Sequence, residues 1–422
     1  MAKTILIYLS FHEPHRLRLP HTLTETGTAI ERVRDCLIDW EVTEHYYRRW
    51  LEEVGKPHLS AVTELARAGA KFMLHFSGPL METMSRFPDT IPDDLLALVR
   101  HPNVQLACSS LSHGLSFCLD TEAFYEETRR AKRLFVDLFG VVPTYAVAPF
   151  LAMSNEIYYV LGRLGFRGVL ADGSSGLLNG YSTGYLRKNG TGPYLLLRNS
   201  ALSHQIAFAR SHRPQAGYTV QTPRVAEGIA EATGDFVLLG WQVFPPYGSV
   251  DTSEGLGFLD SLSDQLLTGA LTFSSADSLV SEYGGKASPL TLPSIPTVAS
   301  EFGDISFFLG HPTQQALFRL MHHAYNTAKL AGEGVLVDVA LAMAQWDILA
   351  LVHRLLVSGS SGPEPAYLAP LQWKRLGSDG TIGHLWGAYE AFVRYATSPK
   401  HDLGGTRPET RTDAPSPQLV SS

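Results

Sequence analysis

The amino-acid sequence predicts an α/β protein built on a parallel seven-stranded (β/α)7 barrel, an incomplete version of the TIM barrel, followed by a C-terminal helical region. Short apolar segments recur through the first 285 residues, and several are apolar on both faces, as in a parallel sheet covered by helices. Stretches with helical spacing of apolar residues lie between most of them. After about residue 285 a Pro/Ser/Thr-rich linker leads into helix-like stretches alone.

The predicted strands are short apolar runs bounded by turn-forming residues or by helical spacing. They cover residues 4–11, 70–77, 104–110, 144–149, 168–173, 195–200 and 235–241. In a parallel barrel the chemistry lies at the carboxyl ends of the strands. The residues that follow each strand are therefore the first candidates for a functional site.

The predicted helices of the barrel cover residues 43–68 and 122–139, and another begins at Thr222 with Pro223 in its first turn. Gly140 is expected to end the second of these. The later helices cover residues 313–331, 335–357 and 388–396. The run 335–357 is predicted to be one buried helix and not a membrane span, because charged residues such as Asp338 and Asp347 interrupt it.

These patterns divide the chain into three parts. Residues 1–285 are predicted to form the barrel, and residues 300–397 a helical region packed on it. The tail 398–422 is predicted to be disordered, because it is rich in Pro, Ser, Thr and charged residues.

Composition excludes some functions. Hydrophobic residues make up 45% of the chain, enough for a large core, and the net charge of −7 comes without a basic stripe, so nucleic acid is not an expected partner. Cys36, Cys108 and Cys118 lack metal-binding spacing and are expected to be free thiols in a reducing compartment. The N-terminus lacks signal-peptide features, so a cytoplasmic location is expected. No cofactor, metal or membrane segment is predicted.

Two strand ends carry polar residues suited to ligand binding. His12, Glu13 and Arg16 follow the first strand, and they favour recognition of sugar hydroxyls because they offer donors and acceptors in fixed directions. A plain polar loop is the alternative, and no ligand set with metal-binding spacing supports a metal site. His113, after the third strand, is either a second hydroxyl ligand or an ordinary loop histidine.

Several ordered motifs carry a family resemblance. The matching residues after the first strand and in the sixth-strand segment are His12, Pro14, Arg16, Arg198, Asn199, Leu202, Ser203, Ile206 and Phe208. The segment 373–379, Trp-Lys-Arg-Leu-Gly-Ser-Asp, is a further match. Over about residues 4–396 the chain thereby resembles glycoside hydrolase family 57, in its α-amylase-like branch. The resemblance implies a seven-stranded β/α barrel with a following helical region.

The same resemblance implies that both catalytic carboxylates are missing. Members of the family are retaining enzymes, which need two carboxyl groups about 5–5.5 Å apart. Phe150 occupies the position of the nucleophile, and His204 occupies the position of the acid/base. Two further acidic residues of the family are absent from the segment 240–244. The protein is therefore expected to be a pseudoenzyme that binds or senses α-glucan or maltooligosaccharide.

Two alternatives remain at this stage. An active α-glucan hydrolase or 4-α-glucanotransferase would use Glu13 or Asp172 as relocated carboxylates. A polysaccharide deacetylase-like enzyme would use His12, His15 and His113 as metal ligands. The predicted substrate-binding residues are His12, Glu13, Arg16, His113, Trp241, Trp373 and Asp379. The sequence identifies no protein partner.

Overall fold

The structure of the protein is a computed structural model. It describes residues 3–25, 27–174, 178, 180–207, 222–243, 253–268, 271–292, 295–297, 304–358 and 370–398. Within these ranges the side chains of residues 207, 222–224, 253, 254, 263–268, 357, 358 and 370–375 are not described. The tail predicted to be disordered lies almost entirely outside the described residues.

Seven parallel strands close into a barrel. The strands of the sheet are β1 (Thr4–Phe11), β2 (Phe72–Phe76), β3 (Val104–Cys108), β4 (Tyr145–Val147), β5 (Gly168–Asp172), β6 (Arg187–Lys188), β7 (Tyr194–Arg198), β8 (Phe236–Val243) and β9 (Thr272–Phe273). The barrel runs β1-β2-β3-β4-β5-β7-β8 and returns to β1. β6 adds antiparallel to β7, and β9 adds parallel to β1. The predicted (β/α)7 barrel is confirmed, and its seven strands match the seven predicted segments.

Helices surround the barrel and follow it. They are α1 (Val33–Leu37), α2 (Trp40–Trp50), α3 (Lys56–Arg67), α4 (Gly78–Arg86), α5 (Leu95–Val99), α6 (Ser116–Leu119), α7 (Thr121–Phe139), α8 (Asn155–Arg163), α9 (Ser200–Ala207), α10 (Thr222–Glu231), α11 (Ser253–Thr268), α12 (Ala276–Tyr283), α13 (Ser306–Leu309), α14 (Pro312–Ala331), α15 (Gly334–Met343), α16 (Trp346–Ser358) and α17 (Pro370–Thr397). A π-helical segment, Leu51–Gly55, joins α2 to α3. Short 3-10 turns lie at Ile30–Arg32, Pro88–Thr90, Pro149–Leu151 and Gly284–Lys286.

Local sequence signals fix several of these ends. Ser77 caps α4 by accepting a hydrogen bond from the Leu80 amide, and Asp120 caps α7 in the same manner. Gly140 ends α7 in the left-handed conformation, with φ of 67°, as predicted from its position. Such caps satisfy backbone groups that a helix end would otherwise leave unpaired.

The strands separate two hydrophobic clusters. Ile5, Ile7 and Leu9 face outward and pack with the surrounding helices. Leu6 and Tyr8 face into the barrel, and their cluster continues into the helical region. The barrel interior and the C-terminal helices thus share one core, while the predicted boundaries at 285 and 300 remain predictions.

One helix prediction is wrong. The run 335–357 is not a single helix, because α15 ends at Met343 and α16 begins at Trp346. At the break the Leu115 amide donates to the Ala344 carbonyl (3.0 Å), and the Trp346 indole donates to the Gly114 carbonyl (2.9 Å). Contacts with the loop after β3 therefore replace helical hydrogen bonds here. A second break divides α17 at Gly377, where φ is 61°.

Candidate functional site

His12 joins the barrel to the helical region. It follows β1 directly, and its side chain is fully buried. Its Nδ1 lies 2.8 Å from the Ser77 hydroxyl oxygen, at the start of α4. Its Nε2 lies 3.0 and 3.1 Å from the two carboxylate oxygens of Asp347, at the start of α16. Three separate elements thus fix the position of this imidazole.

His113 lies against His12. The two rings stack with centroids 4.0 Å apart, and His113 is fully buried in the loop that follows β3. Among the described residues, neither ring nitrogen of His113 has a hydrogen-bond partner. A buried polar group without a partner costs about 1–3 kcal/mol. The arrangement is therefore one that a ligand would stabilise.

Asp347 completes a group of three. One potential ligand atom from each of His12, His113 and Asp347 lies within 4.8 Å of the others, and all three residues are buried. The sequence-based prediction missed Asp347. Its signal in the sequence is an acidic residue inside an apolar run, which by itself argues only against a membrane span. We call these three residues the His–His–Asp group.

A third buried histidine lies next to the group. His75, on β2, has its Nδ1 2.8 Å from the Ser10 hydroxyl, and its ring centroid lies 6.2 Å from that of His113. Burial lowers the pKa of His75 to about 3. Burial, followed by the effects of His12 and His75, holds the pKa of His113 well below its usual value. His75 and His113 are therefore neutral at physiological pH.

Phe150 packs over this group from the end of β4. Its ring centroid lies 5.2 Å from that of His113, 5.8 Å from that of Trp346 and 5.1 Å from that of Phe308. It is nearly buried, with 6% of its surface exposed. The position predicted for the nucleophile thus holds an aromatic contact of the His–His–Asp group.

Backbone strain is concentrated at the same place. Within the described ranges, the non-glycine residues with positive φ are His113 (49°), Phe150 (54°) and Leu151 (56°). Each such residue costs on the order of 1–3 kcal/mol, and residues of this kind cluster at functional sites. The strained residues therefore lie in the loop after β3 and in the turn after β4, the two segments that meet at the His–His–Asp group.

The break between α15 and α16 places the Asp347 carboxylate next to His12, at the end of the barrel. Gln345 lies in the break, where its side-chain oxygen accepts from the His15 amide (3.0 Å) and its side-chain nitrogen donates to Ala342 (2.7 Å). Gly114 allows the close approach, because a Cβ there would lie 2.5 Å from the Ala344 carbonyl oxygen. An unbroken helix would lack these contacts.

Glu13 and Arg16 form a buried ion pair with each other. The Arg16 guanidinium also donates to the Pro14 carbonyl (3.0 Å) and lies 4.3 Å from the centre of the Tyr46 ring. Burial raises the pKa of Glu13, against the opposing effect of Arg16. Both residues lie beside His12 in the sequence, yet each charge is directed at the other.

Asp172 is held in a second buried network. Its carboxylate accepts from Arg198 (2.6 Å) and from the Ser200 hydroxyl (2.7 and 2.8 Å). Arg198 in turn donates to the Gly240 carbonyl (2.6 Å). The carboxylate thus links β5, β7 and β8 as a structural element.

Among the remaining predicted residues, those whose side chains the structure describes do not join the His–His–Asp group. Trp241, a predicted substrate-binding residue, packs in the outer cluster against Phe258 of α11 (5.8 Å). His204 is half-buried on α9, and Asp379 is exposed on α17. The side chain of Trp373 lies outside the described residues.

The metal ligands proposed for a deacetylase-like site are brought together only in part. His12 and His113 are adjacent, whereas the third residue of the group is Asp347. The His15 ring instead meets Trp40 edge-on (4.9 Å) and lies 3.8 Å from Glu82. His15 therefore faces α2 and α4.

The fold and site agree with a known family. Residues 7–248 match the model of glycosyl hydrolase family 57, and this range is more than half of the chain. The chain belongs to glycosyl hydrolase family 57. None of the described helices has both the length and the apolar character that a bilayer span requires.

Relatives with curated sequences or solved structures are similar over different shares of their length. The protein named "Putative alpha-amylase" from Methanocaldococcus jannaschii is 26% identical over 239 residues, which are 55% of this chain and 50% of that protein. The 4-alpha-glucanotransferase of Thermococcus litoralis has a TM-score of 0.57 at 15% identity, covering 82% of this chain and 55% of its own. The chain thus spans about half the length of these two relatives.

A further solved structure is covered almost completely. The GH57-type branching enzyme of Pyrococcus horikoshii has a TM-score of 0.58 at 12% identity, over 94% of this chain and 97% of its own. At this identity the likeness concerns the fold. The described barrel and helical region therefore have the architecture of that enzyme.

Proposed function

We propose that this protein is a catalytically inactive member of the family that binds or senses α-glucan or maltooligosaccharide. The observation that carries the proposal is the phenyl ring of Phe150 at the end of β4, where the resemblance expects the nucleophile. The resemblance implies the acid/base position at His204, a residue of α9. A retaining mechanism needs a carboxyl group at both positions.

The chemistry of these two side chains supports inactivity. A phenyl ring can neither form a glycosyl ester nor stabilise an oxocarbenium ion by charge. His204 can donate a proton, but proton donation alone does not complete a double displacement. In a well-studied hydrolase, loss of the nucleophile lowered turnover about a million-fold.

The engagement of the remaining acids also supports inactivity. Glu13 pairs with Arg16, and Asp172 pairs with Arg198 and Ser200. A carboxylate acting as nucleophile would have to leave such a buried pair, which would strand the arginine charge without a partner. Both alternatives with relocated carboxylates face this cost.

Binding rests on the polar groups at the carboxyl end of the barrel. The His–His–Asp group offers imidazole nitrogens and a carboxylate in fixed directions, which suits recognition of sugar hydroxyls. The names of the relatives refer to alpha-amylase, 4-alpha-glucanotransferase and branching activity. A cytoplasmic location fits the three free cysteines.

Calorimetric titration with maltoheptaose and glycogen tests the proposal, with release of reducing sugar followed in the same samples. We expect saturable heat with maltoheptaose, no heat with the β-linked control cellohexaose, and no sugar release. The Asp347→Asn variant should weaken binding, whereas the matched Asp277→Asn variant, which changes a half-exposed aspartate of α12, should not.

Two results would contradict the proposal. Sugar release that is lost in Glu13→Gln or Asp172→Asn would identify an active α-glucan hydrolase or 4-α-glucanotransferase. The absence of any heat with either glucan would remove the proposed ligand.

A further inference from the structure

We propose that the His–His–Asp group (His12, His113 and Asp347) binds one divalent transition-metal cation of the zinc class. The inference starts from His113, whose two ring nitrogens are fully buried without a hydrogen-bond partner among the described residues. It concerns the same three residues that the proposed glucan binding uses: with a metal bound, a sugar oxygen would reach the ion and not the ligand atoms directly. Metal binding itself does not depend on glucan binding.

The spacing of the group suits a metal ion. Two donor atoms bound to one zinc ion at about 2.0–2.1 Å are about 3.3 Å apart in tetrahedral geometry. His12 Nε2 and Asp347 Oδ1 are 3.0 Å apart, so these two ligands already have nearly this separation. The potential ligand atom of His113 lies within 4.8 Å of both. The two imidazole rings are stacked with their planes 27° apart, so metal binding would require the His113 ring to rotate out of the stack until its nitrogen faces the ion.

The hydrogen bond of His12 prepares it as a ligand. Ligating histidines commonly donate their second ring N–H to a neighbouring oxygen, which fixes the tautomer and the ring orientation. Ser77 Oγ lies 2.8 Å from His12 Nδ1 and can accept that proton. Without metal, His12 Nε2–H can donate to the Asp347 carboxylate. A bound cation would replace that proton and would be coordinated by both Nε2 and the carboxylate.

The donor set selects the class of metal. Two imidazoles and one carboxylate suit zinc and neighbouring transition metals better than calcium or magnesium, which prefer oxygen ligands. Three protein ligands also leave one position of a tetrahedral ion open for water or a sugar oxygen. The ligands come from the loop after β1, the loop after β3 and the start of α16, so they belong to the packed part of the structure.

Sequence spacing could not reveal this site. His12 and Asp347 are separated by 335 positions. Only the break between α15 and α16 brings the carboxylate to the barrel. The absence of short ligand spacings predicts no metal site, but such spacings cannot reveal ligands that lie far apart in the sequence.

Metal titration of the full chain tests the proposal. After removal of metal with a chelator, wild-type protein should bind one equivalent of Zn²⁺ by calorimetry. Co²⁺ should give the intense visible absorption of a four-coordinate site, and Zn²⁺ should displace it. The thermal midpoint should rise with the concentration of Zn²⁺, because a ligand that binds only the folded state stabilises it.

Variants locate the site. His113→Leu and Asp347→Asn should each weaken Zn²⁺ binding by at least about a hundred-fold, since loss of a supporting partner alone costs about 10- to 100-fold. Ser77→Ala should fall within that smaller range. His58→Asn is the matched control, because His58 is a buried histidine of α3 whose Nδ1 is paired with the Val54 carbonyl (2.8 Å).

Several results would overturn the proposal. One is wild-type protein that binds no equivalent of Zn²⁺ or gives no intense Co²⁺ absorption. Another is Zn²⁺ binding that is equal in His58→Asn, His113→Leu and Asp347→Asn, which would assign the metal to surface histidines. The Co²⁺ spectrum needs no variant, so the test holds even if a variant fails to fold. Maltoheptaose titration with chelator present separates failure of the metal site from failure of glucan binding.

Discussion

Two buried polar clusters lie at the carboxyl ends of the barrel strands, and they differ in how completely their groups are paired. In the first, the Asp172 carboxylate is paired with both Arg198 and Ser200. In the second, the His–His–Asp group, His113 has two buried nitrogens without a partner among the described residues. The first cluster holds strands together, whereas the second is the site at which we propose that a ligand binds.

The completeness of hydrogen bonding separates buried polar groups that support the fold from buried polar groups that a ligand could complete. A buried charge with complete hydrogen bonding is costly to disturb and supports the fold. A buried polar group without a partner lowers stability unless a ligand completes it. The comparison makes opposite predictions for substitutions in the two clusters.

The largest effect is expected for Arg198→Ala. It leaves the Asp172 carboxylate buried without its charge partner, which costs about 3–5 kcal/mol in the free energy of unfolding. Urea denaturation of both proteins measures this difference. Arg394→Ala is the control, because the Arg394–Glu25 pair is exposed and is worth at most about 1 kcal/mol. Equal losses in the two variants would remove the distinction between buried and exposed pairs.

The second-largest effect is expected for Gly114→Ala, because Gly114 contacts the helix break that positions Asp347 near His12. Gly114→Ala places a Cβ against the Ala344 carbonyl, and such overpacking costs about 1–3 kcal/mol. Thermal unfolding should show the loss. Gly257→Ala should not destabilise the protein, because a Cβ at this exposed position of α11 meets no atom within 4 Å. An unchanged midpoint for Gly114→Ala would mean that the loop after β3 does not constrain the helix break.

A third carboxylate, half-exposed Asp120, should give an intermediate effect. It caps α7 and accepts from Tyr325 (3.0 Å) and Lys329 (2.5 Å) of α14. Asp120→Ala should cost about 1–2 kcal/mol at pH 7, the usual range for loss of an N-cap. Asp120→Asn keeps the cap and loses the ion pair, so it should cost less than about 1 kcal/mol.

The cost of Asp120→Asn should depend on pH. Burial raises the pKa of Asp120, but the hydrogen bonds from Lys329, the Glu122 amide and Tyr325 together outweigh burial and lower it below 3.8. A lowered pKa in the folded state stabilises the protein above the unfolded value and ceases to do so as the pH falls through the folded value. Stability curves of wild type and Asp120→Asn should therefore converge as the pH falls below the ordinary titration range of an aspartate. A difference that persists there would exclude the ion pair as its cause.

The smallest effect is expected for His113→Leu in the absence of metal. The substitution removes two unpaired polar atoms from the core. The free energy of unfolding should change by less than about 1 kcal/mol or should increase. Urea denaturation with chelator present measures it. A loss as large as that of Arg198→Ala would show that His113 is a structural residue like Asp172.

Local patterns alone determined the barrel. The seven apolar segments, the helical spacing between them and the stop at Gly140 depend on near neighbours in the chain, so they could be predicted. The motifs at 12–16 and 198–208 gave the family. The predicted strands placed His12 and His113 just after strand ends, which is where the structure has them.

Only the tertiary structure decided which polar residues meet. Trp241 lies on a strand that is apolar on both faces, so its sequence could not show that the ring points outward to α11. The helix break that directs Asp347 toward His12 depends on contacts with Gly114 and Leu115, more than 220 positions earlier. The spacing of apolar residues in the sequence reports the geometry of single helices and strands, which involve residues a few positions apart. The His–His–Asp group instead arises from packing between segments that are distant in the sequence.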